Sequence, residues 1–182
     1  MLKLNAKELR DRKPTKEELA SVSRLPIYIV LDNVLDTYNI GGIFRLAEAV
    51  TAQEVILCGE SETPPSSRIH KAAVGTEEWV PWRYEPTAQE ALQKLQETNS
   101  KIQIVVVEQS EKSVPHTEIG HLALDIENSA IAVVVGHETE GVSKEVLDMA
   151  DIIIPMFGVN KSLNVIVSVA IVTYKVLEQM TT

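Results

Sequence analysis

Three short stretches of this sequence place polar side chains among glycines. Asn39 and Arg45 flank Gly41 and Gly42, Glu138 lies between Gly136 and Gly141, and Ser162 and Asn164 follow Gly158. Two amides, a guanidinium, a carboxylate and a hydroxyl are thus offered from loops whose glycines allow sharp turns and close backbone approach to a ligand. Such loops supply backbone donors and a few orienting side chains, the make-up of a binding cleft. Taken singly, each loop has a plainer explanation: the glycines are ordinary turns, and Asn39 and Ser162 are helix caps. The same arrangement occurring three times favours a cleft.

Other chemistries lack their residues. No G-x-G-x-x-G follows a strand and no G-x-x-x-x-G-K-[ST] occurs, which removes the dinucleotide and P-loop fingerprints. His137-Glu138 begins like a zincin motif, but the position that needs histidine is Gly141. His116 and His121 stand near Pro115 with no third ligand in view, so no metal is expected. Asn160-Lys161-Ser162 fits a glycosylation pattern that an unexported protein does not use. No serine sits in a G-x-S-x-G elbow.

The elements that must hold these loops alternate in type. Short apolar, β-branched runs at Ile27–Leu31, Glu54–Cys58, Ile102–Val107, Ala130–Val135 and Asp151–Ile154 predict strands, several covered on both faces. Helices are predicted at Gly42–Val50, Thr87–Thr98, Ser143–Met149 and Ser162–Met180, with Thr87 and Ser143 as starts. Ala91, Leu92 and Leu95 share one helix face. Gly59–Ser67 reads as a loop. Strands alternating with helices predict an α/β fold with a mainly parallel sheet flanked by helices. All three polar loops follow strands, where open α/β sheets bind ligands.

A chain of 182 residues, 45% apolar and 24% charged, is the size of one domain and has the material for a packed core. Its net charge of −9 argues against a general nucleic-acid coat. The charge is uneven: residues 1–24 hold seven basic and four acidic side chains, so the remaining 158 residues carry −12. The expected organisation is a short basic arm, residues 1–24, on a single acidic domain, residues 25–182. Such an arm either contacts a polyanion or is a solvated helix, since Glu17 and Glu18 sit among its lysines. Cys58 is alone, which excludes an internal disulfide and fits a reducing compartment. The N-terminus lacks a signal-peptide apolar stretch, and the run Leu163–Leu177 is too short and too interrupted to span a membrane. A soluble cytoplasmic protein without membrane contact is expected.

The three loops resemble the signature motifs of the SpoU/TrmH family of RNA ribose 2′-O-methyltransferases, in the SPOUT class. Asn39-Ile40-Gly41-Gly42-Ile43-Phe44-Arg45-Leu46-Ala47 is similar to motif one, N-x-G-[AS]-x-x-R-x-A. Gly136-His137-Glu138-Thr139-Glu140-Gly141 is similar to motif two, G-x-E-x-x-G. Ile154-Pro155-Met156-Phe157-Gly158, then Ser162-Leu163-Asn164-Val165, is similar to motif three, I-P-M-x-G-x-x-x-S-L-N-V. The segment Ile69–Trp82 also matches the family's lysine-then-glycine stretch, and the likeness runs from about Leu25 to about Lys175.

The resemblance implies a deep C-terminal trefoil knot whose loops bind S-adenosylmethionine. It places Gly136, Ile154, Met156, Ser162, Leu163 and Asn164 around the cofactor, with Glu108 as a further wall. Arg45, Asn39, Glu138, Ser162 and Asn164 form the implied catalytic set. Arg45 stands at the reacting ribose, and because a guanidinium stays protonated its easier role is to clamp the adjacent phosphate. Asn39 and Glu138 would hold Arg45 and the loops, and Glu138 is the alternative base. The expected partners are a structured RNA (tRNA or rRNA) and a second copy of the chain, docked through the C-terminal helix by the face of Val165, Val169, Val172 and Val176. Two departures stand out: Gly42 replaces the commoner alanine or serine, and Ile166 and Ser168 replace serine and alanine on the last helix. The competing reading is a non-catalytic RNA-binding or assembly factor that retains the fold, which a cofactor titration separates from an enzyme.

Overall fold

The structure, a computed structural model, describes residues 13–110, 113–115, 129–154 and 163–180. Its strands are β1 (Leu25–Asp32), β2 (Ala52–Cys58), β3 (Trp82–Glu85), β4 (Gln103–Val107), β5 (Ile131–Gly136) and β6 (Ile152–Ile154). They form one sheet in the order β3-β2-β1-β5-β4-β6, every pairing parallel. The helices are α1 (Lys16–Ser21), α2 (Thr37–Ala49), α3 (Ser67–Ala73), α4 (Ala88–Thr98), α5 (Lys144–Leu147) and α6 (Val165–Met180), with a 3-10 turn at Thr76–Glu78.

Alternation of side chains along the strands divides the core in two. Ile27, Ile29 and Leu31 of β1, with Val133 and Val135 of β5, pack against Ile40, Ile43, Phe44 and Ala47 of α2 and Val169, Val172 and Val176 of α6. Val30, Ile104, Val106, Ala132 and Val134 face the other way, onto Ala91, Leu92 and Leu95 of α4. This explains the continuous apolar runs: a strand between two helical layers has no solvent face. The predicted parallel α/β architecture therefore holds, including the shared face of α4 and its Thr87 cap, whose hydroxyl accepts from Glu90 N at 3.1 Å.

Several expectations need correction. Helix α2 starts at Thr37, five residues before the predicted Gly42, and its cap is Asp36, whose carboxylate accepts from Tyr38 N at 2.8 Å. Asn39 is thus not a cap but lies inside the first turn. Ser143 does stand at the N-cap of α5, as predicted, but without a side-chain cap bond; its own amide donates to Asp32 at 2.8 Å. The valine face assigned to a partner is also wrong, because Val169, Val172 and Val176 are fully buried in this chain's own core. The apolar side chains that α6 leaves exposed are Val167, Ile171 and Tyr174, spaced to form a second stripe.

The arm is partly tied down. Thr15 and Glu18 form a reciprocal capping box for α1. Arg24 donates to Ala52 O at 3.0 Å and Trp79 O at 3.3 Å, and Lys13 pairs with Glu78. Among the described residues, Lys13 and Arg24 therefore bind the rest of the chain itself, while residues 1–12 lie outside the described residues. So do His116, His121 and residues 155–162, the last within the region to which the resemblance assigns the knot. Among the described residues, no helix is long and apolar enough to cross a membrane.

Candidate active site

Strand order reverses between β1 and its neighbours β2 and β5, so the loops leaving β1 and β5 diverge and open a crevice at their carboxyl ends. In register, Asp32 lies beside Gly136. The β1–α2 loop, the turn after β5 and the start of α6 meet there, joined by side chains from all three motif segments.

Glu138 is the hub. Its carboxylate accepts from Leu35 N at 3.1 Å, Asp36 N at 3.0 Å and Asn39 Nδ2 at 2.9 Å. Asn39, itself buried, uses its remaining oxygen to accept from Asn164 Nδ2 at 3.0 Å. Asn164 then accepts from Ile166 N at 3.0 Å and so caps α6. Partial burial pushes the Glu138 carboxyl up, but the bonds from Asn39 and the Leu35 and Asp36 amides outweigh it and hold it below the usual glutamate value. A carboxylate with donors on both oxygens is a poor proton acceptor and a good brace.

The turn after β5 is tight. His137 and Gly141 exchange backbone hydrogen bonds of 3.1 and 2.9 Å, and His137 Nδ1 accepts from Thr139 N and Glu140 N. His137 thus orders the turn. Gly136 is required by contact, since a Cβ would stand 2.4 Å from the Gly141 carbonyl carbon. Gly141 has φ +76°, and its missing Cβ leaves room for the Glu108 carboxylate. Glu108 accepts from Gln109 N at 2.7 Å and Val142 N at 2.9 Å, fastening the end of β4 to this turn.

Between these parts lies a cleft of about 190 Å³, walled by Val107, Glu108, Gly136, Glu138, Leu163 and Ser168 among others. Of the residues the resemblance assigns to a cofactor, Gly136, Leu163 and Glu108 line this cleft together. Ile154 ends β6 beside Val107. Met156 and Ser162 lie outside the described residues. Arg45 is exposed on α2 and does not line this cleft; it borders a separate groove with Pro14, Val22, Val74 and Trp79. Sequence reasoning missed Asp32, buried at the end of β1, which accepts from Ser143 N and Asn33 Nδ2 and so tethers the chain beyond motif two. An acidic residue closing an apolar strand was the available signal. Cys58 is buried, and desolvation, with the nearby Asp32 and Glu85 charges, pushes its thiol up to about 12, which leaves it inert.

The comparisons with known proteins agree with this geometry. The model of the SpoU rRNA Methylase family matches residues 26–174. The tRNA (guanosine(18)-2'-O)-methyltransferase of Escherichia coli is 30% identical over 156 residues, 83% of this chain and 62% of that protein. The 23S rRNA (guanosine-2'-O-)-methyltransferase RlmB of Haemophilus influenzae is 27% identical, over 96% of this chain and 68% of the relative. This chain thus spans less than two thirds of the length of the first of these. In structure it is similar to the A. aeolicus TrmH/SpoU tRNA modifying enzyme, with a TM-score of 0.73 and 27% identity over 95% of this chain and 81% of that one. An AdoMet-bound rRNA methyltransferase from Sinorhizobium meliloti shares the fold, with a TM-score of 0.75 at 24% identity over 96% of this chain and 61% of that one. The matched stretch takes in the sheet, the cleft and every member of the Glu138–Asn39–Asn164 relay, and the chain belongs to the SpoU rRNA Methylase family.

Proposed function

We propose that this chain transfers a methyl group from S-adenosylmethionine to a ribose 2′-hydroxyl of a structured tRNA or rRNA. The observation that carries this reading is the relay Glu138–Asn39–Asn164, which draws three separate motif segments around one cleft. The names of the relatives, guanosine 2′-O-methyltransferases of tRNA and 23S rRNA, point the same way.

The cleft's lining suits the cofactor. Val107, Val135, Leu163 and Val165 offer apolar surface for an adenine ring and the carbons flanking the sulfonium, beside the polar groups of Glu108, Thr139 and Ser168. Gly136, Leu163 and Glu108 would hold it, joined by Ile154, Met156, Ser162 and Asn164 as the resemblance implies. When bound, its sulfonium supplies an electrophilic methyl group.

The remaining work falls to the chain. Holding a nucleophile in line is worth about 7–11 kcal/mol of barrier. Asn39 and Glu138 fix the β1–α2 loop, and with it the start of the helix that carries Arg45. Arg45 lies six residues along α2 from Asn39, about 9 Å of helix rise. Its guanidinium clamps the phosphate next to the reacting ribose and, by its charge, favours loss of the hydroxyl proton. The arm segment Pro14–Val22 walls Arg45's groove, which fits residues 1–24 as an RNA contact on an acidic body. A second copy docks on Val167, Ile171 and Tyr174 of α6, burying apolar surface exposed in the single chain. The setting is cytoplasmic.

Mass spectrometry of RNA nucleosides from cells with and without the gene tests this reading. Loss of one 2′-O-methylnucleoside is the expected result. An unchanged nucleoside profile, together with no S-adenosylmethionine binding by calorimetry, would leave the non-catalytic RNA-binding reading in its place.

A further inference from the structure

Between α3 and the following 3-10 turn, three potential ligand atoms converge outside the cleft. His70 Nδ1 lies 2.6 Å from Glu77 Oε1 and 3.9 Å from Glu78 Oε1. The ligand atoms that His70, Glu77 and Glu78 can offer all lie within 4.8 Å of one another. Around an ion with ligands at about 2.0–2.2 Å in tetrahedral array, ligand atoms stand roughly 3.3 Å apart, so small side-chain rotations suffice.

Glu77 supplies the decisive observation. It is only 7% exposed, and its Oε2 is buried without a hydrogen-bond partner among the described residues. A carboxylate oxygen sealed from water and left unpaired is costly, and the bond to His70 satisfies only the other oxygen. The His70 pairing accounts for one carboxylate oxygen and leaves the other without a partner among the described residues. A cation shared with His70 and Glu78 removes it. The three residues also border a cavity of about 560 Å³, beside Ser66, Ser67 and Trp82, where further coordination positions can hold water.

We propose that His70, Glu77 and Glu78 form a binding site for a divalent first-row transition metal, with Zn²⁺ the fitting ion. One imidazole and two carboxylates form a mixed nitrogen and oxygen set, which favours such an ion over Mg²⁺ or Ca²⁺, whose sites are built of oxygen. The site clips α3 to the following 3-10 turn. Gly41 of α2 packs directly on α3, where an added Cβ would come within 2.5 Å of Ala72 Cβ, so the clip stiffens the support of the helix that bears Asn39. Lys13, which contacts Glu78, occupies the rim as a competing cation.

Calorimetric titration of ZnCl₂ into the chelator-treated full chain tests the site, with MgCl₂ in parallel. One zinc per chain is expected, with no saturable magnesium binding. Glu77→Gln and His70→Ala should each weaken zinc by about tenfold or more, whereas Lys13→Ala should tighten it. Circular dichroism checks that each variant folds, and Glu78→Gln at the exposed rim replaces Glu77→Gln if that variant does not. No saturable zinc binding up to millimolar ion, or binding unchanged by these substitutions, overturns the proposal.

Discussion

Asn39 and Asn164, 125 residues apart in sequence, are joined by a side-chain hydrogen bond of 3.0 Å. The bond gives each amide a defined orientation. Asn164 donates to Asn39 and spends its oxygen on the first turn of α6, while Asn39 donates onward to Glu138. Two helices and a turn are thereby set by one proton-ordered chain, in which every donor has one acceptor.

Removing the middle member strands both ends. Asn39→Ala takes a donor from Glu138 and an acceptor from Asn164, in a partly buried setting. A loss of about 1–3 kcal/mol in urea denaturation is expected. Asn164→Ala acts on the same bond, so the double variant should cost less than the sum of the two singles, with a coupling energy of about 0.5–3 kcal/mol. Simple additivity would mean that the two amides act independently.

Glu138 gives the relay a pH dependence of known sign. Its folded carboxyl titrates below the ordinary value of 4.5, because hydrogen bonds to the charged form outweigh the effect of burial. Its contribution is therefore complete above that unfolded value and is lost as pH falls through the folded one. Comparing the wild type with Glu138→Gln, the stability gap should be widest near neutrality and should narrow below about pH 4.5. Glu85, held low by Lys94 and Arg83, adds its own acid loss to both proteins and so cancels in the difference. A gap that widens in acid would contradict the assignment.

How far the sequence could be read depended on which signals were local. Strands β1, β4 and β5 announce themselves because burial on both faces needs unbroken β-branched runs. Strand β3 escaped notice because it is a four-residue edge, Trp82–Glu85, whose Arg83 and Glu85 pair with Glu54 and Lys94 and leave no apolar pattern. Around α2, Asp36 and Asn39 both have cap chemistry, and only the tertiary partner Glu138 shows that Asn39 is otherwise engaged. Helix α6 is apolar on nearly every side. Periodicity therefore finds both the Val169–Val172–Val176 face and the Val167–Ile171–Tyr174 face without telling which is turned inward. The motif spacing marked the cleft's glycines and amides, yet the exchange between Glu108, Gly141 and Val142 depends on the register of β4 against β5, which no local pattern records.

The departures from the family pattern at Gly42 and Ile166 prove to be one. A Cβ on Gly42 would stand 3.0 Å from Ile166 Cγ1, so glycine on α2 makes room for isoleucine on α6. Gly42→Ala gains about 1 kcal/mol of helix propensity and loses a similar amount to crowding, giving little net change in thermal stability. On an Ile166→Ser background the crowding vanishes, and Gly42→Ala should stabilise by about 1 kcal/mol. Equal effects in both backgrounds would show that the two positions are uncoupled.

The exposed stripe of α6 should be where copies meet. Ile171→Glu puts a charge on a residue that is 40% exposed in the single chain, so the fold should survive while an apolar interface fails. Light scattering at micromolar concentration should show a dimer for the wild type and a monomer for the variant. A monomeric wild type, or a dimer untouched by the substitution, would place the interface elsewhere or remove it.

Arg45 separates binding from chemistry most sharply. It is exposed, it lies outside the cleft, and among the described residues no hydrogen bond or ion pair engages it. Arg45→Ala should therefore leave both the melting temperature and S-adenosylmethionine affinity nearly unchanged. Methyl transfer should fall by about 10²–10³, the ~3–4 kcal/mol typical of a charged contact made at the transition state. Arg45→Lys then distinguishes geometry from charge. A point charge without the planar fork recovers little if the guanidinium grips a phosphate with two parallel bonds, and recovers much if only its charge matters. Full activity in Arg45→Ala would make the residue an ordinary surface arginine and leave Glu138, despite its saturated carboxylate, as the leading catalytic candidate. Lost cofactor affinity in a folded variant would mean that the groove bordered by Trp79 and the cleft at Gly136 work as one site.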